Sequence, residues 1–109
     1  MKHFDNDVRS LTLVTDIKGD ELETKTYQYP FFVKGIFVKK AIDLGAEFEE
    51  NGEVVPAGLF DKLTNFVVEL YGNNFTDEDL TNGVGADKII QTYISILMSV
   101  LQGEQSKNE

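Results

Sequence analysis

The chain of 109 residues has no cysteine and no tryptophan, one histidine and two prolines. Without cysteine there is neither a disulfide framework nor a thiol nucleophile. With His3 alone near a terminus, a zinc site and a fixed histidine base are both excluded as readings. Two prolines and a hydrophobic content of 41% argue against a low-complexity or disordered chain. Basic residues are few: ten Lys and Arg against nineteen Asp and Glu give a formal net charge of -9. That charge repels phosphates, so no nucleic-acid partner is expected. Lys34 and Lys39 stand about 140° apart on a helical wheel and form no single basic patch. No apolar run is long enough to span a bilayer, the longest being Ile89 to Leu101, and Met1 to Asp7 holds no apolar signal-like stretch. A soluble protein of the cytoplasm, without membrane or cofactor, is expected.

The length suits one domain over residues 1–109. Arg9 to Ile17 alternates as a strand with Leu11, Leu13 and Ile17 on one side, and Lys18-Gly19-Asp20-Glu21 is a turn signal. Leu22 to Tyr29 alternates again and Pro30 ends it, so a β-hairpin is expected over about 9–30. A lone hairpin is marginal, so it must lean on something else. A helix is expected over about 31–48. Val33, Phe37, Leu44 and Phe48 share one face, while Phe31, Val38 and Ile42 fall on the other; such a helix is sandwiched between layers, the hairpin or a second subunit serving as one of them.

Pro56 opens a second helix, about 56–71, with Leu59, Leu63, Phe66 and Leu70 as its stripe. Gly72 is the expected C-terminal cap, Phe75 an aromatic anchor, and Thr76-Asp77-Glu78-Asp79 a capping box with Asp for the usual Glu or Gln. These three positions, Gly72, Phe75 and Thr76, make a structural joint before a short helix, about 76–81. Thr81 to Gly85 reads as a connection. The last helix, about 86–102, is apolar over an arc of roughly 200° from Ile96 round to Met98, leaving Gln91, Thr92, Ser95, Ser99 and Gln102. Between Lys88 and Glu104 there is no charge. A surface helix of a small monomer should carry charge, so this one is expected to be covered on more than one side, by its own core or by a partner. Residues 103–109 form a polar, flexible tail. The fold class is α+β and mostly helical, an N-terminal β-hairpin followed by a three- to four-helix bundle.

No catalytic set emerges, and the chain reads as a non-enzyme. Asn73 to Asp79 offers oxygen ligands but lacks the spacing of a calcium loop, and helix capping accounts for them. Asn74-Phe75-Thr76 matches a glycosylation sequon without a secretion signal. Gly83-Val84-Gly85 is too little for a phosphate loop.

The run Phe66-Val67-Val68-Glu69-Leu70-Tyr71-Gly72-Asn73-Asn74-Phe75-Thr76, followed by Leu80 and Gly83, resembles the tail assembly chaperones of long-tailed bacteriophages of Gram-positive hosts. So do the entry Pro30-Phe31-Phe32-Val33-Lys34 into the first helix, the acidic linker after it, and the apolar helix Ile89 to Leu101. The resemblance extends from about Thr24 to Gly103. It implies a protein that coats the aggregation-prone tape measure protein in the host bacterial cytoplasm and is absent from the finished virion. It also implies that a frameshifted longer form recruits the major tail tube protein. The residues add that surplus apolar helix surface suits holding another chain in solution, with homo-oligomer formation expected. Candidate partner-binding residues are Ile94, Met98 and Leu101 on the last helix and Phe31, Val38 and Ile42 on the first. A homo-oligomeric connector or tube protein, and an acidic regulator occupying a nucleic-acid-binding site, are the alternatives.

Overall fold

The computed structural model describes residues 9–52 and 54–102; His3 and the 103–109 tail lie outside them. Two strands, β1 (Ser10–Lys18) and β2 (Glu21–Gln28), precede four helices: α1 (Gly35–Glu50), α2 (Ala57–Leu70), α3 (Asp77–Gly83) and α4 (Ile89–Gln102). The α+β, mostly helical architecture is the one expected from the sequence, with the hairpin first and the helices after it.

The antiparallel hairpin closes Lys18 on Glu21 across Gly19-Asp20. Gly19 takes φ 63° while Asp20 does not turn positive, the pattern of a type II′ turn. Leu11 and Leu13 enter the core, but Ile17 is exposed, against the alternation read from the sequence. A bulge explains it. Val14 pairs with Thr24 and Asp16 with Glu23, so Thr15 is the extra residue and Ile17 is turned to the opposite face.

The first helix starts at Gly35, later than the expected Phe31. No residue from Pro30 to Lys34 supplies a side-chain cap, and Lys34 is extended at φ -62°, ψ 143°. Tyr29 is held in the core at the end of β2, so the next residues are spent bridging to α1. Both Phe31 and Phe32 therefore stand on that bridge, each 77% exposed. The layers around α1 also differ from expectation. It packs against α2 and α4, whereas the hairpin lies against α3.

α2 ends in a Schellman motif. Asn73 N–H donates to the Val68 carbonyl and Gly72 N–H to that of Glu69, each at 3.0 Å, with Gly72 at φ 74°. Thr76 then opens α3 with both bonds of a capping box: Asp79 N–H donates to Thr76 Oγ1 at 3.0 Å, and Thr76 N–H donates to Asp79 Oδ2 at 3.1 Å. Phe75 between them is buried. It meets Tyr27 edge-on at 4.8 Å and Tyr71 at 5.6 Å, while Tyr29 meets Tyr71 at 5.5 Å. The joint thus also fastens the hairpin.

Gly83 is the closing residue of α3, and not part of a free connection. A Cβ there would stand 3.0 Å from Leu13 Cβ and 3.1 Å from the Val14 carbonyl oxygen. Glycine is what lets α3 lie on β1.

Candidate interaction surface on α1 and α4

The apolar arc of α4 is wider than the core it serves. Taking Leu97 as zero and stepping 100° per residue, Leu101 lies at about 40°, Ile94 at about 60° and Met98 at about 100°. Burial falls in the same order: Leu97 is buried, Leu101 and Ile94 are half-buried, and Met98 is 41% exposed. The facing row of α1 behaves alike. From Ala41, fully buried, the helix turns through half-buried Gly45 and Val38 to Ile42, 56% exposed. Gly45 and Leu97 mark where the rows meet, an added Cβ lying 4.0 Å from Leu97 Cδ2. Val38 and Ile42 share the side of α1 that holds Gly45; Ile94, Met98 and Leu101 share the side of α4 that holds Leu97. Five of the six candidate residues therefore lie on the partly exposed rows of α1 or α4 that start from this contact, the α1–α4 seam.

Phe31 does not. It sits on the bridge before α1, with the Arg9 guanidinium 5.8 Å from its ring centroid. Helical phase places it with Val38 and Ile42, but there is no helix at that position to carry the phase.

Two buried hydroxyls fix α4 so that this face is turned outward. Thr64 Oγ1 donates to the Phe60 carbonyl at 3.0 Å, so its single proton is used. It must accept from Tyr93 Oη at 2.8 Å. Ser99 Oγ likewise donates to the Ile96 carbonyl at 2.7 Å and accepts from Tyr29 Oη at 2.9 Å. One relay ties α4 to α2 and the other ties it to the end of the hairpin. Ser99 belongs to the polar arc of α4 by its sequence position, yet it is buried, because a tyrosine from 70 residues earlier reaches it. Burial holds the Tyr93 hydroxyl above its ordinary pKa, opposed by the Thr64 hydrogen bond and reinforced by the charge of Asp77.

Among the described residues no group of three or more His, Asp or Glu could hold a metal ion, and no helix is long and apolar enough to cross a membrane. What the two rows offer is apolar surface beyond the core on packed helices, without charge along α4 and with Glu49 beside Ile42 on α1. The family model of the phage tail chaperone proteins matches residues 9–109. The chain belongs to that family. No curated protein and no solved structure matches it. A role in tail assembly follows from the membership.

Proposed function

We propose that this tail chaperone holds the tape measure protein in solution during tail tube assembly, without catalysis, by receiving its apolar helical segments along the α1–α4 seam. The observation carrying this reading is the overflow of the α4 apolar arc: Ile94, Met98 and Leu101 lie beyond the buried Leu97 on a helix with no charged residue. Ile42 supplies the opposing rim and Val38 its floor. An unbranched Met side chain suits a site that accepts varied apolar residues. The net charge of -9 keeps a coated complex dispersed. In this reading a frameshifted longer form recruits the major tail tube protein, and the work is done in the host cytoplasm.

Co-expression tests it. Wild-type chain should raise the soluble fraction of the tape measure protein from the same phage, and a chain carrying Ile42→Asp and Met98→Asp should not. No gain with the wild type would overturn the chaperone assignment to this target. A gain that survives both substitutions would move the site away from the seam.

A further inference from the structure

The hairpin has two edges, and among the described residues one is covered and the other is open from Leu22 to Thr26. Tyr29 N–H donates to the Arg9 carbonyl at 3.2 Å, so Arg9 and Tyr29 form a hydrogen-bonded pair. Alternation along the register makes Leu11–Tyr27 and Leu13–Lys25 bonded pairs, and Thr12–Thr26 and Val14–Thr24 non-bonded ones. The close approach of the Thr12 and Thr26 hydroxyls, 2.8 Å, fits a non-bonded pair. Counting from the other end, the two-residue turn closes on Lys18–Glu21, which makes Asp16–Glu23 bonded and Ile17–Leu22 non-bonded. Both counts agree. Leu22, Thr24 and Thr26 turn their backbone N–H and C=O groups away from β1.

On the β1 side the outward groups include the Val14 carbonyl, and the Gly83 end of α3 closes against it. Along β2, every residue from Glu21 to Thr26 is exposed, and among the described residues the sheet has two strands only. An open edge of this kind accepts another strand.

The side chains say which strand. We propose that β2 pairs antiparallel with β2 of a second copy of this chain, Thr24 opposite Thr24, giving a two-fold symmetric four-stranded sheet. In that register the outward groups of Leu22 meet those of the second copy's Thr26, so every outward residue finds an outward partner. Glu23 then faces the second copy's Lys25, twice by symmetry, in the closer non-bonded positions. Sliding by one bonded pair either way sets Glu23 against Glu23 or Lys25 against Lys25. The charges thus select one register, and antiparallel pairing sends the two helical bodies to opposite ends. Glu23 also bonds Lys18 at 3.1 Å, an exposed pair that leaves its carboxylate open to a second cation. This pairing uses a surface separate from the α1–α4 seam and does not depend on what the seam binds.

Sedimentation of the full chain at graded concentrations tests it. The wild type should dimerise, and Thr24→Pro, which removes an edge donor, should weaken the dimer without unfolding the chain. Lys25→Glu and Glu23→Lys should each weaken self-association about tenfold or more, by setting like charges opposite one another. Mixing those two variants should restore the dimer as a heterodimer, since one chain then presents two carboxylates and the other two ammonium groups at the facing positions. Far-UV circular dichroism reports that each variant is folded. A wild type monomeric at millimolar concentration, a dimer indifferent to these substitutions, or a mixture that stays apart overturns the proposal.

Discussion

Where α1 meets α2, Lys40 reaches Glu69 at 2.8 Å and Lys62 reaches Glu47 at 3.0 Å. Where the same helix meets α4, the α4 side offers no charged residue at all. The first flank has the finish of a protein surface: apolar Leu44 and Phe66 below, with Lys40, Asp43, Lys62, Asn65 and Glu69 around the cleft above them. The second flank lets its apolar rows run out into solvent at Ile42 and Met98. Both flanks belong to one chain in one solvent, so general solubility does not account for the difference. In the proposed function, a partner helix covers these half-exposed rows.

The largest effect should come from a residue that belongs to neither flank. Phe75→Ala removes the ring that joins α2, α3 and the hairpin through Tyr27 and Tyr71. It should cost about 3–5 kcal/mol, as truncation of buried aromatics does. Chemical denaturation measures it. Both flanks should weaken together; an unchanged midpoint would mean that the joint does not hold the body together.

That joint was the part most legible in the sequence, because caps are local. Gly72, Thr76 and Asp79 act on backbone groups within five residues, and their chemistry can be read from order alone. The stripe of α2 was legible for a similar reason, since Leu59, Leu63, Phe66 and Leu70 all end in the core. What failed was everything decided by distant chain. Ile17 depends on a bulge, Gly83 on how closely α3 approaches β1, and Ser99 on Tyr29. Phe31 has a helical phase that local sequence allows and the pinned end of β2 forbids. Along the seam, the helical phase of Val38, Ile42, Ile94, Met98 and Leu101 was legible. The extent of their exposure was not, because it depends on how far α1 and α4 overlap.

A smaller effect should appear at the buried anchor that sets how α4 presents its face. Tyr93→Phe removes the hydrogen bond to Thr64, while Thr64 keeps its bond to the Phe60 carbonyl. A loss of about 1 kcal/mol at neutral pH is expected. The pH dependence has a definite sign. The folded pKa of Tyr93 lies above its unfolded value of 10.0, so its contribution is complete below that value and is lost as pH rises through the folded one. Wild-type stability should therefore fall more steeply than that of Tyr93→Phe in alkaline solution. Parallel curves would mean that the hydroxyl is not held in its neutral form.

On the polar flank, Lys40→Ala removes the ion pair with Glu69 and the approach of the ammonium to the Phe37 ring at 5.6 Å. Both groups of the pair are about half exposed, so water screens it. The expected cost is about 0.5 kcal/mol, shrinking as salt is added. Thermal unfolding at low and high ionic strength reads the difference. A salt-independent loss would place the value of Lys40 in its stem packing instead of its charge.

The smallest effect sharpens the contrast between the flanks most. Ile42→Gln with Met98→Gln makes the open flank polar with a residue that favours helix at least as well as those it replaces. If those side chains serve only the folded chain, their exposed parts contribute little, and stability should move by no more than about 0.5 kcal/mol. Retention of a partner helix should fall sharply, because that helix would now desolvate two amides with no matching donors or acceptors. The two readouts separate the causes. A large loss of stability would mean that Ile42 and Met98 belong to the core after all, and the apparent overflow of the arc would be packing. Unchanged stability with lost partner retention would assign the exposed row to a second chain.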